Sequence, residues 1–250
     1  MNITGNTILI TGGGSGIGRG LAEALRAEGN QVIIAGRRLA ALEGVASANP
    51  GMAIEALDIA DADAIRTFAA RVVARFPALN VIIHNAGIMI AEDLTADPVD
   101  LDIAERTIAT NLLGPIRLTA ALLPHLKAQP SSTIMTVSSG LAFVPLAATP
   151  TYAATKAAVH SYSQALRHQL RDTSVEVIEI APPAVATDLM PGHAENPNSM
   201  PLGAYIAETI AHLKAHPQGP ENLVDRVLWL RNAERDGTYD TVFAALNGPR

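Results

Sequence analysis

Residues 11 to 18 read Thr11-Gly12-Gly13-Gly14-Ser15-Gly16-Ile17-Gly18 and connect an apolar run, Thr7–Thr11, to a helical pattern, Ile17–Glu28. Glycine lets the chain turn tightly and lets backbone N–H groups approach a pyrophosphate, while the N-terminus of the helix adds partial positive charge. The glycine spacing is G-x-x-x-G-x-G, not the commoner G-x-G-x-x-G. Because a strand pattern precedes the glycines and a helix pattern follows them, we predict a dinucleotide-binding turn rather than an ordinary loop. Its expected contacts are Gly12, Ser15, Gly16, Ile17 and Gly18.

Strand and helix patterns alternate along the rest of the chain. Short apolar runs predict strands at Gln31–Ala35, Ala53–Leu57, Val81–His84, Thr133–Val137 and Val175–Ile180. Helical patterns lie at Leu39–Ala48, Ala62–Arg75, Leu101–Leu126 and Tyr152–Arg171. This order predicts an α/β fold, a doubly wound parallel sheet with helices on both faces. Ligands of such sheets bind beyond the carboxyl ends of the strands, so we expect the functional residues there.

Composition limits the class of function. The chain has 250 residues, 48 % of them hydrophobic, with no linker-like stretch, so we expect one domain over residues 1–250. No run of about 18 apolar residues exists, and no membrane span is expected. The chain has no cysteine, which excludes disulfides and thiolate ligands, and we predict no metal site. The net charge of −6 argues against nucleic acid, and the N-terminus shows no signal peptide, so a cytoplasmic protein is expected.

The end of the second predicted strand, Gly36-Arg37-Arg38, bears on the choice of coenzyme. An acidic residue near this point usually binds the ribose hydroxyls of NAD, and none is present. Arg37 and Arg38 can instead pair with a 2′-phosphate, which favours NADP(H) and keeps NAD(H) as the alternative. If the arginines only begin a solvated helix, this preference disappears. Asp58, at the end of the third strand, is predicted either to hold the adenine amino group or to cap the next helix.

Ser139, Tyr152 and Lys156 form a second motif, thirteen and then four residues apart. The spacing of four puts Tyr152 and Lys156 on one helix face. A nearby ammonium is expected to lower the tyrosine pKa from about 10 towards neutrality, so the phenol could act as acid or base. Ser139 can donate to a substrate oxygen that gains negative charge. The structural alternative is a helix-start aromatic, a solvated lysine and a turn serine.

Together these residues resemble the short-chain dehydrogenase/reductase family over roughly residues 5–190. The resemblance implies a Rossmann-type fold and hydride transfer between a nicotinamide and a carbonyl or alcohol. It implies that Tyr152 is the general acid/base, that Lys156 holds the nicotinamide ribose and that Ser139 polarises the substrate oxygen. Asn111 would bend its helix and hold a water that relays protons through Lys156, unless it is a surface asparagine. Further cofactor contacts are expected at Ile59, Asn85, Ala86, Gly87, Pro182, Val185 and Thr187.

The sequence departs from the family pattern at three places. His84 replaces the first asparagine of Asn-Asn-Ala-Gly, and a packing role is expected for it. Pro183 stands where the family usually has glycine, which removes an N–H and stiffens the loop. The C-terminal stretch, Asp236–Leu246, lacks the usual glycine-ended strand motif. This last departure favours a homodimer through the helices Leu101–Leu126 and Tyr152–Arg171, with a homotetramer as the alternative.

Two loop-like stretches should determine specificity, Gly140–Thr151 and a lid near residues 188–220 with a helix around Pro201–Ala215. The first contains no arginine or lysine, which disfavours a strongly anionic substrate, although His193 in the lid could change this. A set of apolar residues suggests an apolar carbonyl or secondary alcohol as the substrate: Leu141, Phe143, Val144, Pro183, Leu189 and Met190.

Two other functions use the same features. An epimerase or dehydratase would retain its nicotinamide, but such relatives usually have a longer C-terminal substrate region than this chain offers. A regulator that senses NADP(H) would bind the dinucleotide without turnover, but relatives of that type tend to lose the tyrosine or the lysine. Retention of Ser139, Tyr152, Lys156 and Asn111 together favours the oxidoreductase.

Overall fold

The apolar runs pair side by side in one parallel sheet of a computed structural model that describes residues 1–192 and 194–248. Within these residues the sheet has seven strands in the order β3-β2-β1-β4-β5-β6-β7. They are β1 Thr7–Thr11, β2 Gln31–Gly36, β3 Ala53–Ala56, β4 Leu79–His84, β5 Ser132–Val137, β6 Val175–Ile180 and β7 Glu221–Asn222. The order reverses direction between β1 and β4, so the carboxyl ends of these two strands border the crevice where ligands of this fold bind.

Helices cover both faces of the sheet. They are α1 Gly16–Ala27, α2 Leu39–Ala48, α3 Ala62–Arg75, α4 Asp102–Ile108, α5 Gly114–Ala128, α6 Pro150–Leu170, α7 Leu202–Ala215, α8 Leu228–Arg231 and α9 Tyr239–Asn247. Successive side chains of β1 point to opposite faces, so Ile8 and Ile10 join the core under α1 and α7, whereas Leu9 joins the core under α3 and α5. The Rossmann-type, doubly wound fold predicted from the sequence is confirmed.

Most predicted elements agree with the structure to within one or two residues, and the exceptions lie after residue 100. The single predicted helix Leu101–Leu126 is interrupted by a π-helical turn, Ala109–Leu113. The stretch without a strand motif forms α9. The sheet nevertheless has a seventh strand, β7, which the sequence did not predict because two polar residues carry no periodic signal.

The helix predicted within the lid, α7, packs into the core through its buried face. Tyr205 of α7 is 1 % exposed, and a side chain at Gly20 of α1 would meet Ile206 Cγ1 at 2.7 Å. The two helices approach this closely because α1 has glycine at the contact. The loop before α7 is closed at its base, where Ala186 N donates to Met200 O and Met200 N donates to Ala184 O. Among the described residues, no helix has both the length and the apolar surface needed to cross a bilayer.

Candidate active site

The glycine turn between β1 and α1 is packed so tightly that several of its glycine positions exclude a side chain. Gly12 and Gly16 have φ of 70° and 52°, a region that favours glycine. A Cβ on Gly12 would lie 2.9 Å from Ala86 Cα, and one on Gly18 would overlap the Asn85 amide and the Gly12 carbonyl. The first N–H groups of a helix have no partner within the helix, so the start of α1 presents free donors towards this turn.

Asn85, predicted as a cofactor contact, braces the turn from behind. Its Nδ2 donates to Thr11 O at 3.1 Å and to Gly12 O at 3.3 Å. In return Thr11 Oγ1 accepts from Asn85 N and Ala86 N, both at 3.1 Å. This role of Thr11 was not predicted from the sequence, although a hydroxyl at the end of a strand beside the glycines could have indicated it.

The residues predicted to select the coenzyme lie at the neighbouring strand ends. Arg37 and Arg38 are both exposed, and Arg38 Nη2 donates to Ser15 Oγ at 3.0 Å, which places its guanidinium at the glycine turn. Asp58 is exposed, and its Oδ1 accepts from Ala60 N at 3.0 Å. The alternative that Asp58 caps the next helix is wrong, because Asp61 is the residue that caps α3.

The remaining predicted cofactor contacts are Thr187, Pro182, Val185 and Ile59. Thr187 faces the turn, since a Cβ on Gly16 would lie 3.4 Å from its Cγ2. Pro182 O accepts from Gly140 N at 2.8 Å, and Val185 is buried at the base of the loop before α7. The side chain of Ile59 is 5 % exposed and belongs to the core, so any contact with a ligand there would have to be made by its backbone.

Ser139, Tyr152 and Lys156 come together at the carboxyl end of β5. Lys156 Nζ lies 5.5 Å from the centre of the Tyr152 ring, as expected for one helix face. A hydrogen bond joins Ser139 to Tyr152, and Ser139 Oγ also accepts from Leu141 N at 3.1 Å. All three side chains are buried. The alternative of a solvated lysine is therefore wrong, whereas Ser139 does begin a turn, since its side chain caps the 3-10 turn Gly140–Ala142.

The expected lowering of the tyrosine pKa is also wrong for the chain as the structure shows it. Burial raises the pKa of Tyr152 to about 12, and the hydrogen bond with Ser139 only partly opposes this. Lys156 Nζ points to the backbone, where it donates to Val137 O at 2.7 Å. Burial lowers the pKa of Lys156 to about 8, and the nearby carboxylate of Glu179 opposes this shift.

Asn111 lies in the π-helical turn between α4 and α5, only 2 % exposed. Its Oδ1 accepts from Ile88 N and its Nδ2 donates to Ile88 O, both at 2.9 Å. Nδ2 also donates to Thr155 Oγ1 at 3.3 Å, beside Lys156 on α6. The surface alternative is wrong, and the expectation that the helix changes course at Asn111 agrees with the π-helical turn.

Comparison with known proteins agrees with this geometry. The model of the short chain dehydrogenase family matches residues 6–198. The chain belongs to the short-chain dehydrogenase family. It is accordingly an NAD(P)-dependent oxidoreductase.

Several relatives resemble this short-chain dehydrogenase over nearly its whole length. It is 41 % identical to an uncharacterized oxidoreductase, DltE, of Bacillus subtilis over 99 % of this chain and 98 % of the relative. A 3-ketoacyl-(acyl-carrier-protein) reductase from Brucella melitensis, complexed with NADH, has a TM-score of 0.76 at 26 % identity, covering 88 % of this chain and 93 % of the other. A short chain dehydrogenase from Burkholderia cenocepacia, in complex with NADP, shares the fold with a TM-score of 0.82 at 24 % identity and covers 100 % of both chains.

The stretch Gly140–Thr151 of this short-chain dehydrogenase is clamped by the C-terminal helix. Ala147 N donates to Asn247 Oδ1 at 2.6 Å, and Asn247 Nδ2 donates to Pro145 O at 3.1 Å. Val144 is fully buried in a small core with α8 and α9, and the ring of Phe143 packs against His160 and Arg231. Phe143 and Val144 therefore do not belong to the predicted apolar pocket. His193 lies outside the described residues.

A buried ionic network behind Lys156 was also missed. Glu179 of β6 is 0 % exposed, accepts from Ser138 Oγ, and lies 2.8 Å from His160 Nδ1. Glu221 of β7 pairs with Arg231 at 3.0 Å and continues the network to the surface. The signal was a second acidic residue, after Glu176, in a strand whose other residues are apolar, since a buried acidic residue is rare unless its charge is paired.

Proposed function

We propose that this protein transfers a hydride between NADP(H) and the carbonyl or secondary alcohol of an apolar small molecule. The main observation in support of the proposal is that Ser139, Tyr152 and Lys156 lie together beside the glycine turn, at one edge of the sheet. Neither the epimerase or dehydratase nor the NADP(H)-sensing regulator finds support in a separate structural feature.

The residues at this edge fit a dinucleotide. Side chains are excluded at Gly12 and Gly18, so a pyrophosphate can reach the donors at the start of α1, and Ser15 Oγ is not used to cap that helix. Asn85, Ala86 and Gly87 would border the cofactor, and Thr187 would reach the carboxamide across the groove. A bound nicotinamide supplies or accepts the hydride.

NADP(H) is favoured over NAD(H) because Arg38 points its guanidinium at the glycine turn, where a 2′-phosphate would gain a charge-assisted hydrogen bond. Arg37 is exposed beside it, and Asp58 is one strand away near the expected adenine position. Relatives of known structure have been solved with NADH and with NADP, so both coenzymes occur within the family.

Tyr152 would act as the acid in carbonyl reduction. With its pKa raised to about 12 the phenol is protonated at neutral pH, which is the state needed to donate. The hydride forms a bond to the carbonyl carbon, the phenol proton moves to the carbonyl oxygen, and the alcohol leaves a phenolate beside Lys156. Ser139 would hold the substrate oxygen, and Asn111 would position α6 through Thr155.

An apolar substrate is favoured by the exposed and half-buried apolar residues that remain near the site, Leu141, Pro183, Leu189 and Met190. The nearest guanidinium of the C-terminal segment, that of Arg231, is already paired with Glu221. A substrate anion would therefore have to displace an existing ion pair.

For assembly we propose one catalytic domain that forms a cytoplasmic homodimer, with a homotetramer as the alternative. One of the two helices expected at the interface, Leu101–Leu126, carries exposed apolar side chains: Leu101 is 60 % exposed, Ile108 39 % and Leu113 37 %. Clusters of exposed apolar residues of this kind mark interaction surfaces.

The test is oxidation of NADPH with a panel of apolar ketones, using wild type, Tyr152→Phe and, as a matched control, Tyr239→Phe in α9. We expect turnover by wild type and control, and a loss of about 10² to 10⁴ in kcat for Tyr152→Phe, since that variant lacks the proton. Full activity of Tyr152→Phe would refute the assigned acid. NADPH binding without turnover on any ketone would favour the regulator.

A further inference from the structure

A small cavity lies beside Lys156, between the end of β4, the π-helical turn and α6. Its volume is about 10 Å³, close to the space that one water molecule requires. The polar side chains that line it are His84, Asn111, Thr136, Lys156 and Tyr162. A cavity of this size with polar walls is suited to a single ordered water rather than to a substrate.

His84 lines this cavity and has a ring nitrogen, Nδ1, without a hydrogen-bond partner. The residue is 4 % exposed, its Nε2 is hydrogen-bonded to Thr119 Oγ1 at 2.8 Å, and its Nδ1 has no protein partner. Burial lowers the pKa of His84 to about 3, so the ring is neutral and only one of its nitrogens carries a hydrogen. A buried polar atom without a partner is costly, and proteins usually satisfy such atoms with ordered water.

The other groups around the cavity are already engaged or can only donate. Asn111 uses both ends of its amide on Ile88, and Thr136 Oγ1 is hydrogen-bonded to Ser163 Oγ at 2.7 Å. The Lys156 ammonium has three hydrogens, and Val137 O takes one of them. Lysine has no acceptor, so a water that accepts from Lys156 needs an acceptor elsewhere for its own hydrogens.

We propose that one water in this cavity bridges Lys156 Nζ and His84 Nδ1, and that His84 is thereby a positioning residue for the lysine. Thr119 fixes the tautomer, because its hydroxyl accepts from Nε2–H and can donate in turn to Tyr162. Nδ1 then accepts from the water, and the water accepts from Lys156. This inference rests on the role proposed for Lys156 in the reaction.

The first test is direct and independent of activity. A crystal structure of the wild type at high resolution is expected to show a water within about 3.2 Å of both His84 Nδ1 and Lys156 Nζ. A dry cavity, or a water that contacts Lys156 but not His84, would overturn the proposal. Because this readout needs no substrate, it decides the matter even if the proposed carbonyl reduction is wrong.

The second test compares His84→Asn with His84→Leu, which are similar in size. Asparagine places an acceptor oxygen near the position of Nδ1, whereas leucine places none there. We expect kcat to fall about threefold to tenfold in His84→Leu and to stay near wild type in His84→Asn, with KM for NADPH unchanged in both. Equal losses in both variants would indicate a packing role and refute the bridge.

The pH profile of kcat separates positioning from packing. Tyr152, Glu179 and Tyr162 also face Lys156 or the cavity and are the same in both variants, so a difference between the profiles reports on residue 84. We expect the lysine-linked limb of the profile to move to lower pH in His84→Leu only. If His84→Leu does not fold, the water in crystals of wild type and His84→Asn decides the outcome.

Discussion

Burial of the Lys156 ammonium makes the stability of this protein depend on pH. Desolvation lowers the pKa of Lys156 from 10.5 to about 8, with Glu179 opposing the shift. Between these two values the unfolded chain binds a proton that the folded chain has released, so the free energy of unfolding rises with pH. The full shift corresponds to about 3 kcal/mol, because one pKa unit is worth about 1.4 kcal/mol.

The chain offers a clean window for measuring this effect. It contains no cysteine to titrate near the same pH. Tyr152 acts in the opposite direction, because its pKa is raised to about 12, but its contribution is lost only above about pH 10. Between pH 7 and 9.5 the released lysine proton should therefore contribute about 2 kcal/mol to the free energy of unfolding.

The perturbation is Lys156→Met, which keeps an unbranched side chain and removes the charge. Loss of the hydrogen bond to Val137 O adds a penalty that does not vary with pH, so only the slope is diagnostic. Urea unfolding followed by circular dichroism at pH 7, 8, 9 and 9.5 gives the slope of the free energy of unfolding against pH. The control is Lys214→Met, since Lys214 is a half-exposed lysine paired with Glu28. We expect Lys156→Met to lose the rise of about 2 kcal/mol while the control keeps it. A difference from wild type that stays constant over this range would refute the reasoning.

Three further perturbations test other parts of the site. Arg38→Ala should weaken NADPH binding by about 10- to 100-fold and leave NADH binding unchanged, and Arg37→Ala should have a smaller effect on NADPH binding. Nicotinamide fluorescence titrations measure the binding of both coenzymes. Equal losses of NADPH and NADH binding would contradict the assignment of Arg38. Gly18→Ala should lower the free energy of unfolding by about 1–3 kcal/mol and abolish coenzyme binding, because the new Cβ overlaps the Asn85 amide. An unchanged melting temperature would disprove the predicted overlap. Glu92→Ala should lower the free energy of unfolding by about 1 kcal/mol in thermal unfolding, because Glu92 caps the first turn of α6 by accepting from the N–H and the hydroxyl of Thr151. A variant as stable as wild type would show that the cap contributes nothing.

Parts of this site were predictable because they depend on spacing along one element. Tyr152 and Lys156 share a helix face whatever surrounds that helix, since four residues make about one turn. Gly12 and Gly18 had to meet other backbone at close range, because a strand and a helix joined by so short a turn leave no space for side chains. The apolar runs predicted the parallel sheet for a similar reason, since strands buried on both faces must be apolar on both.

Other predictions failed because they depended on what lies across the sheet. The tyrosine pKa was expected to fall, yet desolvation by the packed β5, β6 and α6 outweighs the lysine, whose ammonium is drawn to Val137 O. Phe143 and Val144 were expected in the substrate pocket, but Val144 is buried in a core with α8 and α9, and the ring of Phe143 packs against His160 and Arg231. β7 is two residues long and exists only because β6 offers it an edge to pair with.

The sequence by itself therefore determined the fold, the glycine turn and the three side chains predicted to react, since periodicity and short spacing are properties of a single strand, turn or helix. Only the tertiary structure decided the electrostatics of those groups. The buried Glu179 lies on β6, the free Nδ1 of His84 belongs to β4, and residues of several other strands and helices line the cavity beside Lys156. Desolvation and hydrogen-bond satisfaction depend on all the atoms that surround a group, and the chain brings those atoms together only when it folds.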